Sequence, residues 1–476
     1  MTKIFAIALL SARKAIRSRL FVSLVVVLFL VIFGLPAVIK GEGTLAGEVR
    51  ILLYYTLGFA AIILGVATVW VSCGSVSSEI EDKIIRLIVV KPVHKLQIWF
   101  GKWLGVLIVN AVLLAVTGTV VYAYLQWTIR PSRTTAEERQ ALNEEILVGK
   151  RRIMPRFEPI DTELHEQFER LREQGKIGSE TSHSEVLSYL KNQILAKRSV
   201  VAPGGYKEWR FDLPVAVRKR LCGKSAGENE RGSVLSIRFN LESAGFDGKR
   251  MPITGTWRVS SNEKLTDFEF EMKDNPGGIG QFSVPGSVVG QDNPIVVRFL
   301  NDERDFSGTA VFNQAQDMEL LIRESGFGAN LVRALIIIFC HLALLAALGL
   351  TAGTFFSSPV ATFAAASMLA VFALTQYTVF ASASEHKCSH SHHHGEEQEQ
   401  SVLVTASKHT AELLNIVVAP AMKFQALTPL SRGILISWKF TAKAILLLMV
   451  FYSGALGIIG GYVLKRRELA LPGSRG

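Results

Sequence analysis

Residues 21–39 read FVSLVVVLFLVIFGLPAVI, a run without a single charged side chain. A helix crossing a hydrocarbon core ~30 Å thick needs about 20 apolar residues. Backbone groups in lipid have to pair inside their own segment, so such a run crosses as a helix. Working outward, five further runs qualify, giving approximately Leu20–Ile39, Ile51–Cys73, Trp103–Leu125, Leu331–Phe355, Val360–Phe380 and Ala444–Leu464. The first run follows a basic segment, as a cleaved signal peptide would. It is nearly full span length and a second span follows at once, so an uncleaved anchor is the better reading.

The whole chain agrees with this start. Of 476 residues, 49% are hydrophobic and 20% charged, with a mean hydropathy of +0.30. A soluble chain of this length rarely has a positive mean, because charge has to cover its surface. The net charge of +11 is placed beside apolar runs, at Lys3, Arg13, Lys14, Arg17 and Arg19 and again at Lys465, Arg466 and Arg467. Flanking basic residues stay on the cytoplasmic side, which argues against nucleic acid as a partner. Both termini are therefore expected in the cytoplasm of a bacterial inner (cytoplasmic) membrane. The loops after spans two and four face in, and those after spans one, three and five face out.

This divides the chain into five parts. Residues 1–125 hold an N-terminal amphipathic segment and spans one to three, with an inner loop at 74–102. Residues 126–328 form an extracytoplasmic insert, 329–380 hold spans four and five, 381–433 form a His-rich outward loop with a short helix, and 434–476 hold span six and a basic tail. Met1–Arg19 suits either an interfacial helix or an extension of span one. On span four, Arg333 can snorkel from the outer end. His341 suits either a pathway in the bundle interior or a helix-packing hydrogen bond.

The insert, at roughly two hundred residues, is long enough to fold alone. Its first half, 133–200, reads helical. Thr134 and Glu137 have capping-box spacing, and Leu164, Phe168 and Leu171, then Val186, Leu190 and Ile194, share helical faces. Beyond Pro203-Gly204-Gly205 the period becomes two, with Leu235, Ile237, Phe239 and Leu241 alternating with polar residues. Short strands continue over 232–322, separated by turn residues such as Asp247-Gly248. An antiparallel β-sandwich is expected there. The fold class is thus a polytopic α-helical membrane protein of six transmembrane helices with a large extracytoplasmic α+β insert.

Catalytic signatures are weak. Gly223-Lys224-Ser225 has Arg218 where a phosphate-cradling loop needs glycine, and no nucleophile elbow or zinc-protease motif occurs. The four cysteines, Cys73, Cys222, Cys340 and Cys388, show no paired spacing. No enzyme is expected, and energy for any work has to come from a partner.

The inner loop best fits that role. Ser77-Ser78-Glu79-Ile80-Glu81-Asp82 opens acidic, as at a helix N-terminus. Ile80, Ile84, Leu87 and Ile88 then share one face, and Lys91-Pro92-Val93-His94-Lys95 breaks the helix. Such a face fits a partner's groove or the membrane surface.

The order Ser77-x-Glu79-Ile80, Arg86, Lys91-Pro92-Val93-x-Lys95 and Gly101-Lys102 resembles the permease subunits of the polysaccharide- and drug-exporting class of ABC transporters. Lys465-Arg466-Arg467-Glu468-Leu469 and Phe424-Gln425-Ala426-Leu427-Thr428-Pro429-Leu430 resemble its multicopper-enzyme-maturation branch. The likeness covers the spans and inner loops and leaves out the insert. It implies an ATPase-coupling loop of Glu79, Ile80, Glu81, Arg86, Lys91, Pro92 and Lys95, with a coupling helix around Glu79–Val90. It also implies a separate ABC ATPase subunit that uses the ATP, a second permease subunit in a homo- or heterodimer, and membrane lipid around both.

One further cluster carries metal-ligating chemistry. His386, Cys388, His390, His392, His393 and His394 precede Glu396, Glu397 and Glu399, and imidazole with thiolate suits Cu, Zn or Ni. The polar, flexible context suits plain solvation equally. The rival to a transport subunit is a non-transporting receptor or assembly protein whose insert binds a periplasmic partner.

Overall fold

The computed structural model describes residues 2–38, 45–81, 94–130, 135, 142–143, 146–157, 159–174, 183–222, 234–244, 253–261, 268–274, 279–290, 293–302, 308–312, 318–357, 359–364, 367 and 423–466. The chain separates into two compact units, Met1–Gly149 with Ser325–Gly476, and Lys150–Glu324. The second is narrower at both ends than the insert expected from hydropathy, Gln126–Gly328.

The helical unit opens with α1 (Thr2–Ile16) and α2 (Arg19–Val38), which meet at a 70° bend. Then come α3 (Leu45–Glu81) and α4 (Lys95–Thr128). In the second unit the helices are α5 (Asp161–Glu173), α6 (His183–Ser199) and α7 (Val215–Cys222). The chain returns through α8 (Phe327–Phe355), the short α9 (Leu427–Ser431) and α10 (Trp438–Arg466). Within α10, Ile445–Tyr452 is π-helical, and the Ser453 hydroxyl donates to Leu448 O across that widened turn at 2.9 Å.

Among the described residues, α3, α4, α8 and α10 are long and apolar enough to cross a membrane, and α1 with α2 makes a fifth if the bent pair is one span. This is a membrane protein. Of the expected span Val360–Phe380, residues 360–364 are helical, and apart from Ser367 the remainder lies outside the described residues. The bend between α1 and α2 separates the amphipathic segment from the apolar one, so Met1–Arg19 is not a straight extension of the first span.

These helices approach closely because small residues sit where they cross. A Cβ on Gly105 of α4 would stand 2.5 Å from Ala8 O of α1, and one on Gly353 of α8 would stand 2.7 Å from Cys73 O of α3. Polar side chains join them. Asn110 Nδ2 donates to Thr68 Oγ1 at 2.8 Å, Trp103 Nε1 to Ala343 O at 3.0 Å, and Thr351 Oγ1 to Leu456 O at 3.1 Å. Near the start of α8, Asn330 Nδ2 donates to Ile434 O at 2.9 Å, and its Oδ1 accepts from Ile436 N at 2.8 Å. Arg333 is buried there, donating to Ile436 O at 3.2 Å and stacking on Trp438. It therefore anchors the lead-in to α10 rather than snorkelling.

The unit Lys150–Glu324 holds β1 (Val148–Ile153), which begins just before it, and then β2 (Val200–Val201), β3 (Tyr206–Phe211), β4 (Val234–Asn240), β5 (Glu242–Ala244) and β6 (Ile253–Ser260). The series ends with β7 (Phe268–Asp274), β8 (Ile279–Pro285), β9 (Ile295–Asn301), β10 (Thr309–Val311) and β11 (Met318–Gly326). Three sheets form, ordered β1-β11-β4-β8, β2-β10-β5 and β3-β9-β6-β7. The pairings of β4, β6 and β9 with their neighbours are antiparallel.

Alternation decides which faces turn inward. Ile295, Val297 and Phe299 of β9 are buried, as are Leu235, Ile237 and Phe239 of β4. Trp257 joins the sheets, 4.6 Å from the Phe239 ring, 4.8 Å from Phe299 and 6.3 Å from Trp209. The first half is less helical than its sequence suggests, since β1 falls inside 133–200. The sequence of β1, VGKRRI, hides its strand character behind three cations. These are held by tertiary partners: Lys150 by Ser236 Oγ at 2.9 Å, Arg151 by Glu324 through two bonds, and Arg152 by Glu319 at 2.6 Å.

Candidate functional site

At one end of the helical unit α3, α4 and α1 meet at Glu79, and the end of α10 packs beside Ile80. With 37 residues, α3 is about 55 Å long at 1.5 Å per residue, well beyond the ~30 Å of a hydrocarbon core. Nothing in Cys73–Ser78 stops it, so Glu79 and Ile80 lie in its last turns and Glu81 ends it. The acidic opening expected to start a new coupling helix therefore continues span two. A carboxylate at a helix C-terminus opposes the macrodipole, and here two lysines offset that.

Glu79 Oε2 lies 2.5 Å from Lys102 Nζ of α4, and Oε1 accepts from Lys14 Nζ of α1 at 3.3 Å. Lys102 is 3% exposed, and its ammonium also donates to Ser75 O at 2.5 Å and to Ser75 Oγ at 3.3 Å. A buried ammonium is tolerated only with such partners. Lys95 Nζ donates to Leu464 O at 3.2 Å, joining the start of α4 to the end of α10. Ile80 packs against a cluster of Val76, Trp99, Ala347, Leu350 and Leu464. Among the described residues the arrangement holds no nucleophile poised beside a base. It is a junction at which displacement of the end of α3 is felt by three other helices.

Of the coupling residues expected from sequence, the structure brings Glu79, Ile80 and Lys95 to this end, and Glu81 closes α3. Arg86, Lys91 and Pro92 lie outside the described residues, as does most of the expected helix Glu79–Val90. The two lysines that hold Glu79 were legible only as parts of other patterns, Lys14 in the basic N-terminus and Lys102 in Gly101-Lys102. A lysine beginning an apolar span demands a partner, which was the available signal. His386, Cys388, His390, His392, His393 and His394 also lie outside the described residues. Among the described residues no group of three His, Cys, Asp or Glu could hold a metal ion, and Cys73 and Cys340 are buried free thiols.

Further along the bundle, a cavity of about 330 Å³ opens between α3, α8 and Phe424–Thr428. Its polar lining is Tyr54, Tyr55, His341, Gln425 and Thr428. His341 Nδ1 lies 2.8 Å from Ile337 O, which makes that nitrogen a donor to its own helix and leaves the ring edge on the cavity. His341 thus lines an interior space and bonds to its own helix.

The chain matches no protein-family model, no curated protein and no solved structure.

Proposed function

We propose that the chain is the membrane-spanning permease subunit of an ATP-driven ABC exporter, pairing with a second permease subunit and a separate ATPase. The observation that carries this reading is the Glu79 junction. In sequence Asp82–Val93 joins the end of α3 to the start of α4, so a protein gripping that segment pulls on the charged groups linking α3, α4 and α1. Lys95 passes the same pull to α10. In this reading six helices cross a bacterial inner membrane with both termini cytoplasmic, and the insert folds outside as an antiparallel sandwich. The order of Glu79, Ile80, Arg86, Lys91, Pro92 and Lys95 along the segment adds the resemblance already described. ATP is used by the partner, and this chain transmits motion without a catalytic site of its own.

The test is affinity purification of the tagged chain from mild detergent, with mass spectrometry of what accompanies it. The expected result is an ABC ATPase that is lost when Glu79, Glu81 and Arg86 are all replaced by Ala. Recovery of no ATPase, repeated after cross-linking, sinks the permease reading. A second reading, a membrane receptor or assembly protein, is favoured by the separate core of Lys150–Glu324, and it takes over in that event.

A further inference from the structure

The unit Lys150–Glu324 contains a cavity of about 710 Å³ that the permease reading does not use. This lies within the 300–1,000 Å³ range of small-molecule sites. It runs along β3, the edge strand of its sheet, and is closed on the other side by the chain after β1. The two are tied by a bridge in which Arg156 N donates to Arg210 O at 2.7 Å.

Four cations line it, Arg156, Arg198, Lys207 and Arg210, against two carboxylates, Glu208 and Asp212. Glu208 is engaged outside the cavity by Arg298 of β9, whose Nε is 2.6 Å from Oε1. Among the described residues Asp212 is met by Arg156 at 3.7 Å, both of them exposed. Arg198 is braced by Glu163 of α5 at 2.6 Å. Lys207 is held over the Trp209 and Phe312 rings with its Nζ donating to Phe312 O at 3.3 Å. Among the described lining residues the cations outnumber the carboxylates, and Arg210 is exposed.

Beside these cations stand apolar surfaces, Phe157, Pro159, Ile160, Trp209 and Pro294. Phe157 is 45% exposed, so its ring is accessible to a ligand. Cations next to ring and proline faces match a ligand with an acid group on a compact body whose C–H faces can lie flat.

We propose that this cavity binds an acidic sugar, its carboxylate or phosphate held by Arg210, Arg156 and Lys207 and its ring lying against Phe157 and Pro294. The inference does not depend on the permease reading, since the cavity is built within one unit. Whichever way the ATPase capture turns out, the binding measurement stands apart.

The experiment is equilibrium binding to the full-length chain in detergent micelles, with four probes at equal concentration. Trigalacturonate supplies carboxylates, glucose 1-phosphate a phosphate, maltotriose a neutral glycan and triglutamate an acidic peptide. The two acidic sugars distinguish the source of the anion. The expected result is saturable binding of at least one of them, weakening about tenfold for Arg210→Glu, as reversal of a close solvent-facing charge implies. Phe157→Ala weakens it further, and Arg170→Glu on the exposed side of α5 leaves it unchanged. Arg210 and Phe157 are exposed, so these variants keep the fold, checked by an unaltered melting profile. Binding of neither acidic sugar, equal binding of maltotriose, or indifference to Arg210→Glu overturns the proposal. Triglutamate bound as well as trigalacturonate overturns the sugar assignment and points to an acidic peptide.

Discussion

In the helical unit, large apolar side chains such as Leu30, Phe33, Phe363 and Phe451 stand more than 60% exposed, while glycines and hydroxyl groups occupy the contacts between helices. In the unit Lys150–Glu324 the order is reversed. Trp209, Trp257, Phe211, Phe239, Phe299 and Phe312 are buried together, and arginines and glutamates cover the strands. The same amino-acid types thus take opposite places in one chain. Water gives the strand unit a hydrophobic drive toward its aromatic centre. Lipid gives the helices none, so they associate through close backbone approach and a few hydrogen bonds. The difference teaches which interactions each unit can lose.

The largest effect is expected where the aromatic centre is emptied. Trp257 touches rings from both four-stranded sheets, and Trp257→Ala should cost the strand unit about 3–5 kcal/mol. Limited proteolysis across a urea series reads this directly, with cleavage inside Lys150–Glu324 moving to lower urea while the helices stay protected. If cleavage in both units shifts together, they unfold as one and the contrast between them fails.

An intermediate effect is expected at the charged junction. Glu79→Gln leaves the Lys102 ammonium buried with Ser75 as its remaining partner, a loss of about 1–3 kcal/mol. Titration with a denaturing detergent, followed by helix content, measures it. Adding Lys102→Met to the same chain removes the stranded charge and should restore most of the loss. A double variant no better than the single one would show that Glu79 and Lys102 do not act as a pair.

The units also differ in how far they could be read from sequence. Four of the expected spans were legible because a charge-free run has few alternatives in lipid, and the strands from Leu235 to Leu300 because a period of two survives in their side chains. Two features were not. β1 was hidden because Lys150, Arg151 and Arg152 are polar residues held in place by Ser236, Glu324 and Glu319, which lie far along the chain. The end of α3 was misplaced because acidic residues usually open helices, and the lysines that let Glu79 sit at a C-terminus come from α1 and α4. In both places a distant partner overrides local propensity. The candidate site was legible as a list of charged positions in the loop, but not as a junction.

The smallest effect should come from Lys14, and it sharpens the account of that junction most. Lys14 and Lys102 approach the same carboxylate, yet their side chains are 55% and 3% exposed. An exposed ion pair contributes about 0–1 kcal/mol, so Lys14→Ala should scarcely move the detergent titration. The little it does cost should vanish in 1 M salt, where the screening length falls to ~3 Å. The cost of Glu79→Gln should persist there, because Lys102 is shielded from the salt by the helices around it. If Lys14→Ala instead proves as costly as Glu79→Gln, and equally indifferent to salt, then α1 rather than α4 holds the end of α3. In that case the N-terminal helix is a structural member of the bundle, and a pull on Asp82–Val93 would reach α1 first.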